Sequence, residues 1–151
     1  MEGDEMIPER IVIDASIVLK WLRKEKMEKY VKESKKLRDY YLKGIVKVII
    51  PDFIFYEFTN VLRYKVDLTE DEIYEGVKSL FNMGFEIKHA DPETIKESVY
   101  ISFKYAIPIP EAYYIALADQ EKAFLVTADD HLKEIVKDKR NVLHVRDLSL
   151  I

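Results

Sequence analysis

Apolar residues fall along this chain in two alternating rhythms: short unbroken runs, and longer stretches in which they return every three or four positions. The runs are "RIVID", "VKVIIP", "AFLVT" and "VLHV", and unbroken runs of that length fit strands buried on both faces. "FEIKH" is a weaker candidate for a further strand. The stretch from Ile17 to Lys43 reads as one or two helices with a charged face, and Asp52, after Pro51, is placed to cap a helix through about Tyr64. Thr69 and Glu72 stand in Thr-x-x-Glu register, a helix-start signature, and Gly84 suits the stop. Asp91 and Pro92 open another helix, Glu111 to about Lys122 forms the next, and a last one starts at Asp130. Strands alternating with helices predict an α/β fold with a central parallel sheet covered on both faces. A chain of 151 residues suits one domain spanning 1–151.

Composition narrows the chemistry. The formal net charge is -4, so no whole-chain positive field attracts a polyanion, which would have to meet a local basic patch or metal ions. Charge-rich segments such as "KESKKLRD" read as solvated helix faces. The absence of cysteine excludes disulfides, thiolate zinc sites, iron–sulfur clusters and cysteine nucleophiles. His89, His131 and His144 lack the spacing of a helical metal pair, and glycine is too sparse for a phosphate-cradling loop. The opening "MEGDEMIPER" is acidic and unlike a signal peptide, and no stretch approaches the roughly 20 apolar residues of a membrane span. The expectation is a soluble, cytoplasmic protein.

Four acids resist a purely structural explanation when taken together. Asp14 and Asp129 each close a strand and open a helix, so each is either an N-cap or the wall of a site. Glu57 shares a helix face with Ile54, Phe58, Val61 and Leu62, and no Lys or Arg joins that stripe before Lys65, while Asn60 keeps the patch polar one turn on. Glu111 begins the nearly all-apolar "EAYYIALA", as a first-turn acid favoured by the helix dipole or as a site residue. Asp119, eight residues later, is a supporting acid or surface. In a parallel sheet, ligands bind beyond the carboxyl ends of the strands where strand order reverses. Acids crowded there repel one another unless a cation compensates, and Mg²⁺ or Mn²⁺ wants such oxygen ligands.

The ordered set "VIDASIVLKWL", "PDFIFYEFTNVL" and "EAYYIALADQEKAFLVTADDHL", with the closing strand, resembles the PIN-domain ribonucleases, and especially the VapC-type toxins of toxin–antitoxin pairs. The resemblance implies a three-layer α/β/α PIN-like fold and an acid cluster holding Mg²⁺ or Mn²⁺. The acids fall on Asp14, with Ser16 beside it, on Glu57, on Glu111, and on Asp129, with Thr127 before it. Glu111 departs from the pattern, which usually has Asp preceded by Tyr where Pro110 and Glu111 stand. The resemblance further implies hydrolysis of single-stranded RNA to a 5′-phosphate and a 3′-hydroxyl, a homodimer, and an antitoxin partner. Alternatives are a PIN fold that binds RNA or protein without cutting, an RNA-processing nuclease without an antitoxin, and an assembly domain using Tyr40, Tyr41, Tyr113 and Tyr114.

Overall fold

The four apolar runs and the weaker fifth become the strands of one sheet. In this computed structural model, which describes residues 7–24, 26, 28–65 and 67–149, they are β1 (Arg10–Ile13), β2 (Lys47–Pro51), β3 (Glu86–Lys88), β4 (Phe124–Thr127) and β5 (Val142–His144). Residues 1–6 of the acidic opening lie outside the described part. The sheet order is β3-β2-β1-β4-β5 and every pairing is parallel. Ile11, Val12, Ile49, Ile50, Leu125 and Val126 are fully enclosed, as central strands covered on both faces must be. At the edge, β3 leaves Glu86 and Ile87 exposed, which is why its apolar signal was weak.

Seven α-helices connect these strands among the described residues: α1 (Ala15–Lys20), α2 (Val31–Leu42), α3 (Ile54–Lys65), α4 (Glu70–Asn82), α5 (Pro92–Tyr105), α6 (Ile109–Gln120) and α7 (Asp130–Ile135). α1 packs on α2 and α3, α3 on α4, and α5 on α6. With right-handed crossovers, the helices reached on the way to β2 and β3 cover one face and those leading back to β4 and on to β5 cover the other, giving three α/β/α layers. The Ile17 to Lys43 stretch is thus two helices. None of these helices is long and apolar enough to cross a membrane.

Local chemistry explains most boundaries. Thr69 and Glu72 form the reciprocal capping box, and Asp91 accepts from the Thr94 amide with Pro92 in the first turn. Gly84, at φ 73°, turns the chain out of α4 in the left-handed region that glycine enters without strain. Two expectations need correction. Asp52 does not cap α3: its carboxylate lies 2.9 Å from His89 Nδ1, and its own amide still bonds to Lys88 as an extension of the sheet. α6 starts at Ile109, two residues before Glu111, and ends at Gln120; Pro110 fits its first turn because that position has no intrahelical N–H bond to lose.

Candidate active site

Strand order reverses between β1 and β4, which sit side by side with Ile13 opposite Val126 while their chains leave in opposite directions. The next residues therefore meet at the crevice where parallel sheets bind ligands. Asp14 caps α1: its Oδ1 accepts from the Ser16 amide at 3.1 Å and from the Ser16 hydroxyl. The same hydroxyl oxygen accepts from the Ala128 amide at 2.9 Å and stands 3.3 Å from Thr127 Oγ1. Thr127 Oγ1 in turn accepts from the Asp129 amide at 3.0 Å, and Asp129 caps α7 through Oδ1, to the His131 and Leu132 amides. Ser16 and Thr127 thus join the two strand ends.

From above, α3 and α6 bring the other two acids. Glu57 is half-buried, and Tyr114 donates its hydroxyl to Glu57 Oε1 at 2.6 Å. Glu111 lies half-buried in the first turn of α6. Burial pushes the Asp14 carboxyl up to about 6 from 3.8; Ser16 and Thr127 oppose that, and the nearby Asp129 charge adds to it. Burial likewise raises Glu57, against the Tyr114 bond. Glu111 is raised by burial and then by Asp129 and Glu57, with His131 opposing. All four acids are therefore linked by mutual repulsion, Asp129 to Asp14 and Glu111, and Glu111 to Glu57.

Among the described residues, no ion pair reaches any of these four carboxylates. Nor, among those residues, do three carboxylates or imidazoles stand close enough to enclose a metal ion by themselves. An all-oxygen donor set this open, with uncompensated negative charge, fits a hard divalent ion that keeps part of its water shell. Soft or thiolate-seeking metals have no ligand here.

Two supporting candidates stand elsewhere. Asn60 is exposed and lines, with Tyr56 and Arg63, a groove of about 810 Å³ running past Val77, Phe81 and His89, which none of the four acids lines. Asp119 lies at the far end of α6, accepting from Lys139 Nζ at 3.1 Å and from the Asn141 side-chain Nδ2, where it ties the loop before β5. Eight residues of helix separate it from Glu111 by about 12 Å. The sequence pattern offered Tyr114 only as an assembly residue, not as a partner of Glu57. Tyr113 and Tyr114 are both buried, not surface residues for assembly. The available signal was a polar-tipped ring inside an apolar helix, three residues from Glu111, whose hydroxyl needs a partner once buried.

Known proteins agree with this architecture. The family model of the PIN domain matches residues 11–138, and the chain belongs to that family. Among solved structures, PAE2754 from Pyrobaculum aerophilum is similar with a TM-score of 0.64 at 16% identity, over 91% of this chain and 84% of that one. A toxin–antitoxin complex from Klebsiella pneumoniae gives 0.62 at 15% identity, over 89% and 97%. The VapC20 toxin of Mycobacterium tuberculosis, which cleaves the sarcin–ricin loop, gives 0.62 at 8% identity, over 82% and 93%. The fold is that of PIN domains, and these three structures share it. Compared with curated proteins by sequence, the chain finds no match.

Proposed function

We propose that this protein is a metal-dependent endoribonuclease acting on single-stranded RNA in the cytoplasm, as the toxin of a toxin–antitoxin pair. The observation that supports the reading is that Asp14 and Asp129 follow β1 and β4 at the switch point, with Glu111 near enough to feel the Asp129 and Glu57 charges; among the described residues none of the four has a cationic partner, and three have raised carboxyl pKa. The fold fixes one oxygen on each of three acids, Oδ1 of Asp14, Oε1 of Glu57 and Oδ1 of Asp129. Their other oxygens, with Glu111, are the candidate ligands, directly or through water. A bound Mg²⁺ or Mn²⁺ supplies an acidified water and neutralises charge on the scissile phosphate. In hydrolysis the water oxygen bonds to phosphorus, the bond to the 3′ oxygen breaks, and that oxygen takes up a proton. Ser16 and Thr127 hold Asp14 and the Asp129 turn in place for this chemistry. RNA as substrate is supported by the VapC20 toxin, which cleaves the sarcin–ricin loop, and an antitoxin partner by the Klebsiella pneumoniae toxin–antitoxin complex.

Incubation with unstructured RNA yields products with Mg²⁺ or Mn²⁺, none with excess EDTA, and none from Asp14→Asn. Cleavage that survives chelation overturns the reading. Glu111 in place of the usual Asp favours a second reading, a PIN fold that binds RNA or protein without cutting. That reading gains if RNA is retained on the protein but stays intact under both metals.

A further inference from the structure

Tyr114 lies in the run Ala112–Ala118 of α6, every residue of which is buried. Its ring is fixed edge-on by Phe53, with centroids 5.2 Å apart. Only its hydroxyl reaches out of the apolar layer, and it meets Glu57 Oε1 at 2.6 Å. A charge-assisted O–H···O⁻ bond of that length is among the strong ones. Burial, then the Glu57 charge, keep the phenol protonated, so it stands as a permanent donor. One phenol thus ties α6 to the helix carrying Glu57.

A glutamate has three side-chain torsions, and Glu57 is half-exposed with no ion pair among the described residues, so without this bond its carboxylate would sample several rotamers. We propose that Tyr114 is a positioning residue that pins Glu57 Oε1 and thereby presents the second oxygen to a divalent cation. The inference rests on the metal-dependent reading of the site. Partners of this kind, bonded to a ligand and not to the metal, commonly govern affinity by 10- to 100-fold.

The test measures Mn²⁺ affinity by the electron paramagnetic resonance signal of free aquo-ion, for wild type, Tyr114→Phe, Glu57→Gln and the double variant. Tyr114→Phe is expected to weaken Mn²⁺ by roughly 10- to 100-fold, and to leave affinity unchanged in the Glu57→Gln background, where the carboxylate it serves is gone. Its RNA cleavage returns toward the wild-type rate as Mn²⁺ is raised, with KM for RNA unaltered. Equal Mn²⁺ affinity in wild type and Tyr114→Phe overturns the inference, and so does an equal loss in both backgrounds, which marks a packing role. If the wild type neither binds Mn²⁺ nor cuts RNA, the nuclease reading falls first and takes this one with it. Should Tyr114→Phe fail to fold, wild-type NMR decides: substoichiometric Mn²⁺ is expected to broaden the Tyr114 ring signals well before those of Tyr105, which bonds Asp138 elsewhere, and equal broadening overturns the siting.

Discussion

At the scale of single residues, Asp14 shows that capping and chemistry are not rivals. The cap uses Oδ1 alone in its bonds to Ser16, and the same burial that makes the cap rigid raises the carboxyl to about 6. The consequence for stability has a definite sign. In the metal-free protein the folded state holds this proton more tightly than the unfolded chain, whose carboxyl titrates near 3.8. Stability from Asp14 is therefore complete below pH 3.8 and is lost as pH rises through about 6, by an amount on the order of 2–3 kcal/mol. In EDTA, Asp14→Asn keeps the cap and removes the titration, so its melting temperature should exceed that of wild type by several degrees at pH 7 and match it near pH 4. A variant that melts lower at both pH values would make Asp14 a structural anion with a cationic partner. The four acids of the candidate site stand out in the sequence because each breaks a local apolar pattern. Tyr114 does not, since its partner lies 57 positions away and helical periodicity carries no information at that range.

At the scale of elements, boundaries were legible wherever the cap is local. Thr69 with Glu72, and Asp91 with Pro92, announce their helices within three or four residues. Asp52 carries the same cap chemistry, but His89 on the far side of β3 claims its carboxylate, and no local rule shows that competitor. The start of α6 matters most, because it sets where Glu111 stands. With Ile109 as the first helical residue and Pro110 as the second, Glu111 is held in the first turn and its charge reaches both Asp129 and Glu57. Its side chain is one methylene longer than the usual Asp, and octahedral Mg²⁺ tolerates distorted ligands poorly. Cleavage by the wild type is therefore expected to favour Mn²⁺ over Mg²⁺ more strongly than cleavage by Glu111→Asp. Rates measured against the concentration of each metal decide it: loss under both metals in Glu111→Asp means that only the longer side chain reaches the site, and unchanged rates remove Glu111 from it.

At the scale of the whole molecule, alternation of strands and helices was enough to foresee a parallel sheet, because continuous apolar strands need cover on both faces. The order β3-β2-β1-β4-β5 was not written in any one segment; it brings residues 14 and 127–129 together only once β4 inserts beside β1. The same view exposes what the monomer leaves uncovered. On α5, Ile95, Val99, Tyr100 and Phe103 face solvent, with Phe103 84% exposed, although the opposite side of that helix packs firmly on α6. Contiguous exposed apolar residues of this kind mark contact surfaces, and a face on one helix can pair with its own copy about a two-fold axis. Light scattering at micromolar concentration should report about twice 17.9 kDa. Phe103→Glu should bring the mass down to that of one chain while leaving the fold intact, because surface substitutions usually change stability by less than about 0.5 kcal/mol. A wild type that stays monomeric would overturn the homodimer that the family resemblance implies, and a Phe103→Glu variant that still dimerises would move the contact to another face.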